Sequence, residues 1–236
     1  VKTLILIPTY NEVENVEAIV TAVHRQEPHV DILIIDDSSP DGTGDVVRRM
    51  QASSSKLHLL VRTKKEGLGR AYLAGFAWGK EHGYEAMVEM DADFSHRPED
   101  LSRILQALPA NDFVVGSRYV AGGATKNWGL IRKMISRGGS LYSRLILGYP
   151  LRDWTGGFNA WRSSCLHKIG LDRVKSNGYS FQIELKYRAL LAGCRGQEVP
   201  ILFEDRRVGQ SKMSMKIVVE AFHRVWSLRW ALSREK

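Results

Sequence analysis

The sequence predicts an α/β domain whose mostly parallel sheet is flanked by helices, and three observations lead there. Five short apolar runs, at 3–8, 31–36, 56–61, 85–91 and 112–116, are rich in β-branched residues and bounded by turn formers, as strands buried on both faces are. Amphipathic stretches with helical spacing lie between them. Three of the runs end in unusual acid and turn chemistry: PTYNE after the first, DDSSPDGT after the second and DADFSH after the fourth. Open α/β sheets bind ligands at such strand ends.

Taken in order, TLILIP opens the chain as a strand, and 12–26 follows as a helix with Val16, Ile19, Val20 and Val23 on one stripe. DILIID is the second strand, and the DDSSPDGT segment after it reads as a turn. A strand at 56–61, a helix at 68–82, the strand EAMVEMD, a helix at 97–108 and the strand DFVVG complete the regular half. The second half is less regular. It holds a Gly-rich loop at 121–124, a basic helix at 130–147, a Gly-rich turn at 155–157, a helix near 181–191 and a strand near 197–203. No repeat or low-complexity linker divides the halves, so 1–236 reads as one domain.

The last helix, 216–232, places Ile217, Ala221, Val225, Leu228 and Leu232 on one stripe and His223, Arg224 and Arg229 opposite. With Trp226 and Trp230, it suits either a membrane interface or packing on its own domain.

The chain has 236 residues, 44 % of them hydrophobic, enough for a sizeable core. Its net charge of +8 is unevenly spread: 1–117 carries 12 Lys/Arg against 18 Asp/Glu, and 118–236 carries 22 against 8. An acidic half joined to a basic half suits binding of a cation and of anions, rather than the evenly basic surface of a nucleic-acid coat. Cys165 and Cys194 lack metal-ligand spacing and read as reduced, buried thiols. No run approaches the roughly 20 apolar residues of a membrane span.

Asp91 and Asp93 follow an apolar run, so both carboxylates can converge where the chain leaves the sheet. Such oxygens suit Mg²⁺ or Mn²⁺, with helix capping or a solvated turn as the plainer alternative. Asp37 is assigned to a nucleotide and Asp36 to bracing its loop. Asp100, in a predicted first helical turn, is explained by the helix dipole. Gly67-Leu68-Gly69 begins a dinucleotide fingerprint, but Tyr72 occupies the third glycine's place, and 42–47 lacks a P-loop's Lys-Ser/Thr ending. Arg118, the pair Arg132 and Arg137, and the group Arg206, Arg207 and Lys212 suit bidentate phosphate binding, although a single surface Arg is usually a solvated charge.

IPTYNE at 7–12, DDSSPDGT at 36–43, MDADFSHRPED at 90–100, GSRY at 116–119, ISRGGSLYSRLILG at 135–148, DWTGGFNAWR at 153–162, GYSFQIEL at 178–185 and DRRVGQSKMS at 205–214 occur in that order. The set resembles the family 2 glycosyltransferases of GT-A fold, and within them the polyprenol (dolichol) phosphate mannose synthases, actinobacterial branch. The resemblance implies mannose transfer from GDP-mannose to a polyprenyl (dolichyl) monophosphate, with inversion and with Mg²⁺ or Mn²⁺. Pro8, Tyr10, Glu12 and Asp37 match the nucleotide positions; Asp91, Ala92 and Asp93 match the metal and diphosphate motif, with Asp93 and Arg118 as the catalytic pair. Some relatives have a metal-reaching Gln where this chain has Ser95, which implies a weaker or water-mediated contact there. Arg118, Arg132, Ser136 and Arg137 match the acceptor-phosphate positions, and Arg206 and Lys212 a late loop closing over the donor. On this reading 1–117 is the nucleotide and metal half, 118–215 the acceptor half and 216–236 the terminal helix. The enzyme would work peripherally, at the cytoplasmic face of a membrane or on a membrane-anchored partner, without nucleic acid.

The alternative is a related family 2 enzyme using UDP-glucose with a lipid-phosphate or sugar acceptor. A sugar hydroxyl would need a carboxylate base, and Asp153 is the obvious candidate. A nucleic-acid module would interleave stacking aromatics with Lys/Arg, a pattern poor outside the terminal helix. A catalytically silent subunit would not need the intact DxD and basic groups.

Overall fold

The first strand shows how the core is built. In β1 (Thr3–Thr9), Leu4 and Leu6 enter one apolar layer while Ile5 and Ile7 enter the other, and all four are fully buried. β2 (Asp31–Asp36) repeats the alternation with Leu33 and Ile35 against Ile32 and Ile34. Strands so covered must be sandwiched between helical layers, which is why they read as unbroken apolar runs.

The computed structural model describes residues 1–205 and 215–233. Its remaining elements are α1 (Val16–Gln26), α2 (Thr43–Gln51), β3 (Leu57–Val61), α3 (Leu68–Glu81), β4 (Ala86–Glu89), α4 (Leu101–Ala107), β5 (Phe113–Ser117), β6 (Ala124–Lys126), α5 (Leu130–Leu147), β7 (Asn159–Arg162), α6 (Ser163–Ile169), α7 (Tyr179–Leu191), β8 (Gly196–Pro200), β9 (Leu202–Glu204) and α8 (Met215–Ser233). Among these residues the main sheet runs β3-β2-β1-β4-β7-β5-β8, and β6 pairs with β9 in a two-stranded ribbon. The predicted mostly parallel sheet is present. β7 departs from it, running antiparallel between β4 and β5.

That strand, with α2 and α6, was not anticipated from the sequence. β7 is only four residues long, too short for a periodic signal, and α2 begins inside the segment read as a turn, where Gly42 holds φ +91° just before Thr43. Gly75 of α3 meets β1 and β2 closely enough that a Cβ would lie 2.6 Å from Ile35 Cδ1, so the small residue sets this helix-to-sheet distance. Cys165 and Cys194 are free and buried, as expected.

The terminal helix packs on its own domain through Val225, Leu228 and Leu232, which join the core formed with α7 and the α5 end residue Leu147. Trp226 and Trp230 of the same helix remain exposed. Among the described residues no helix is long and apolar enough to cross a membrane.

Candidate active site

The C-terminal ends of β1, β2, β4 and β5 lie along one sheet edge, and the antiparallel β7 begins there. At three of these ends the chain bends through a left-handed residue that is not glycine: Asn11 (φ 61°), Ser38 (φ 52°) and Phe94 (φ 63°). Such backbone is costly for L-residues and persists where surrounding contacts hold it. The three bends fall inside PTYNE, DDSSPDGT and DADFSH.

Asp36 braces the first two loops. Its carboxylate accepts from Thr9 Oγ1 at 2.9 Å and from both Ser39 N and Ser39 Oγ. Asp37 instead faces Arg62, whose Nη1 donates to Oδ1 at 2.8 Å. Burial raises the Asp37 pKa while the Arg62 charge opposes that rise. Tyr10 is exposed beside this pair, with Lys65 Nζ 3.6 Å from its ring centroid. Pro8 lies within β1, and Glu12 accepts from Asn15 Nδ2 while its carbonyl starts α1.

Asp91 and Asp93 follow β4. Tyr72 Oη donates to Asp91 Oδ1 at 3.3 Å, and the Asp91 amide donates to His96 Nδ1 at 3.0 Å. His96 is buried against Phe158, and burial lowers its pKa, so a neutral imidazole accepts that bond. Asp93 Oδ1 accepts from Ser95 N, and Ala92 between the two acids is buried. The oxygen donors suit a hard divalent cation. Among the described residues no group of three or more His, Cys, Asp or Glu converges as a metal site. A cation held by Asp91 and Asp93 would therefore keep positions for diphosphate oxygens and water, as Mg²⁺ and Mn²⁺ do at phosphate sites.

Arg118 follows β5 and is almost fully buried. Its Nε and Nη2 each lie 2.7 Å from an oxygen of Asp153, its amide donates to Asp153 Oδ2 at 3.0 Å, and Nη2 also reaches Thr155 Oγ1 at 2.8 Å. Aromatic rings of Tyr119, Trp128 and Phe203 surround the guanidinium at 5.2–5.5 Å. Burial alone would raise the Asp153 pKa, but the Arg118 charge and hydrogen bonds, helped by Lys186, hold it down at about 2. Asp153 is therefore an ionised partner of Arg118, and the base role considered for a sugar acceptor does not fit it.

The other acceptor-side candidates gather around the same rings. Tyr119 Oη donates to Ser136 Oγ at 2.7 Å, while Arg132 lies over Trp128 at 4.1 Å and bonds Asp205 at 2.7 Å. Arg118, Arg137 and Arg152 line a cavity of about 420 Å³ with the Gly122-Gly123 turn. Arg206 and Lys212 lie outside the described residues.

The glycosyl transferase family 2 model matches residues 4–170. The chain belongs to this family. It is 48 % identical to the undecaprenyl-phosphate mannosyltransferase of Micrococcus luteus, over 98 % of this chain and 95 % of that protein. It is also 48 % identical to the polyprenol monophosphomannose synthase of Mycolicibacterium smegmatis, over 100 % of this chain and 90 % of that one. Among solved structures, the mannosyltransferase PcManGT from Pyrobaculum calidifontis in complex with GDP-Man and Mn²⁺ aligns with TM-score 0.60 at 16 % identity, covering 98 % of this chain and 73 % of that one. Glucosyl-3-phosphoglycerate synthase from Mycobacterium tuberculosis, with Mn²⁺ and UDP-glucose, gives 0.64 at 16 %, covering 98 % and 78 %. At those identities the two structures speak for the fold, and the single GT-A domain expected of the family stands.

Several residues of this candidate site escaped the sequence reading. Glu89 is fully buried and accepts from Trp161 Nε1, Asn159 Nδ2 and Gln182 Nε2; burial pushes its pKa up to about 7 against those bonds. An acid inside the buried strand EAMVEMD was the available signal. Lys186 and Arg62 had none, because surface and buried cations look alike in a sequence.

Proposed function

We propose that this glycosyltransferase moves mannose from GDP-mannose to a polyprenyl monophosphate, inverting the anomeric carbon. The carrying observation is the pairing of two chemistries: carboxylates at Asp91 and Asp93 where the chain leaves β4, and, from Arg118 after β5, a recess lined by Arg118, Arg137 and Arg152, with Arg132 and Ser136 nearby on α5. The two relatives named for polyprenyl-phosphate mannosyl transfer, at 48 % identity over nearly the whole chain, support the same reading.

In this reading Asp37, Tyr10, Pro8 and Glu12 border the nucleoside, and Asp91 and Asp93 hold Mg²⁺ or Mn²⁺ beside the diphosphate. A bound divalent ion would neutralise charge developing on the departing GDP. An acceptor phosphate oxygen forms the new bond to the anomeric carbon as the bond to the diphosphate breaks. The acceptor is already anionic, so the arginines need only orient it, and no carboxylate base is required. Arg206 and Lys212 are assigned to the donor by the family resemblance alone. Asp153, ion-paired and buried, gives no support to the sugar-hydroxyl alternative.

The acceptor is a membrane lipid, and we assign the peripheral contact to α5 together with the exposed tryptophans of α8. Leu130, Met134, Leu141 and Leu145 repeat at helical spacing along the exposed face of α5, flanked by Lys133, Arg137 and Arg144. An apolar stripe beside a basic flank suits the anionic cytoplasmic leaflet. Labelled GDP-mannose plus a short polyprenyl phosphate in detergent should yield a mannolipid that requires Mg²⁺ or Mn²⁺. No product under those conditions rejects the reading, and product from UDP-glucose instead would favour the alternative donor.

A further inference from the structure

Lys186 is fully buried in α7, yet its ammonium is not aimed at a carboxylate. Nζ donates to three backbone carbonyls: Asp153 at 3.1 Å, Trp154 at 3.3 Å and Gly156 at 2.8 Å. Three donors thus meet three acceptors on one turn, which matches the full hydrogen-bonding capacity of an ammonium. Without the cation those carbonyls would be buried acceptors lacking this donor.

The pinned turn is the one that presents Arg118. Asp153 and Thr155 together take Nε and Nη2 of Arg118, and Ser140 of α5 and Glu198 of β8 hold the turn's amides at Trp154 and Asp153. Asp153, Glu89 and Glu198 balance the buried charge electrostatically, while Arg118 opposes it; burial is the largest influence and brings the Lys186 pKa down to about 8. A residue needed only to fill this space could be apolar.

We propose that Lys186 is a positioning residue for the acceptor side of the reaction, fixing the 153–157 turn so that Arg118 faces the phosphate in one orientation. The inference rests on Arg118 meeting the acceptor phosphate, as in the function proposed above. It separates acceptor from donor, because the hydrogen bonds of Lys186 go to the 153–157 turn rather than to the loops carrying Tyr10, Asp37 or Asp93.

The test compares the wild-type chain with Lys186→Met and Lys186→Arg. It measures KM for GDP-mannose and for a short polyprenyl phosphate, and calorimetric Kd for that phosphate without donor. Lys186→Met should raise acceptor KM and Kd about tenfold or more, the scale of losing hydrogen bonds to a charged group, with donor KM within about twofold. Lys186→Arg should recover part of that loss. In the wild type, acceptor affinity should fall above about pH 8 as the ammonium deprotonates, with donor affinity level, and Lys186→Arg should move that limb to higher pH. Unchanged acceptor KM and Kd in a folded Lys186→Met, or equal rises for both substrates, would overturn the proposal. If Lys186→Met does not fold, the pH profiles decide, and a wild type with no alkaline limb in acceptor affinity overturns it. A wild type that binds the phosphate but makes no mannolipid rejects the proposed function, while its Kd series still judges Lys186.

Discussion

Arg118 and Asp153, 35 positions apart, form a two-pronged ion pair with both contacts at 2.7 Å and almost no solvent access. Removing one partner leaves the other charge buried and unmatched. Asp153→Asn should therefore cost about 3–5 kcal/mol in urea unfolding at pH 7, with acceptor KM raised.

The pair also sets an acid limit. Asp153 has a folded pKa depressed to about 2, so its stabilisation is complete above the unfolded value near pH 4 and disappears as pH falls through 2. Wild type should lose on the order of 2 kcal/mol across that window from this group. A pH series of unfolding midpoints in which Asp153→Asn falls as steeply as the wild type would contradict this.

Asp93→Ala should abolish mannolipid formation while the circular dichroism spectrum stays native, since the bond its carboxylate accepts from Ser95 N is a local one, two residues away. EDTA should have the same effect on the wild type, and Mg²⁺ or Mn²⁺ should restore activity. Turnover in Asp93→Ala would remove it from the metal site.

Gly116 is the penultimate residue of β5, where a Cβ would come 2.7 Å from the Phe158 carbonyl oxygen, itself the acceptor for Gly116 N at 2.8 Å. The nearest atom is backbone, and the buried side chains of Ile201 and Ile104 close the remaining space at 3.0 and 3.3 Å. Gly116→Ala should lower stability by about 1–3 kcal/mol, read from denaturant midpoints.

Leu141 and Leu145 are 55 % and 71 % exposed on the outer face of α5. Replacing both by Glu should leave stability within about 0.5 kcal/mol per site while sharply reducing flotation with vesicles containing anionic lipid. Undiminished flotation would move the membrane contact away from α5.

The local periods of the first half were readable because each strand there is buried on both faces and each helix on one. The acids at the ends of the first, second and fourth strands followed from the same pattern. Asp36 could be separated from Asp37 on turn chemistry, and the structure gives Asp36 its bracing contacts. The terminal helix was legible as amphipathic, but which surface its apolar stripe met was not: Val225, Leu228 and Leu232 pack on the domain, and only the Trp side is open.

By itself, then, the sequence determined the β-α alternation, the carboxylates at one sheet edge and the uneven distribution of charge, because these are written in spacings of a few residues. Tertiary structure decided the rest. It inserted β7 between β4 and β5, brought Asn159 to Glu89, closed Asp153 on Arg118 and drove Lys186 under the 153–157 turn. Those contacts join positions 30 to 76 residues apart, where the choice of partner depends on which groups are desolvated together, and no local pattern records that choice.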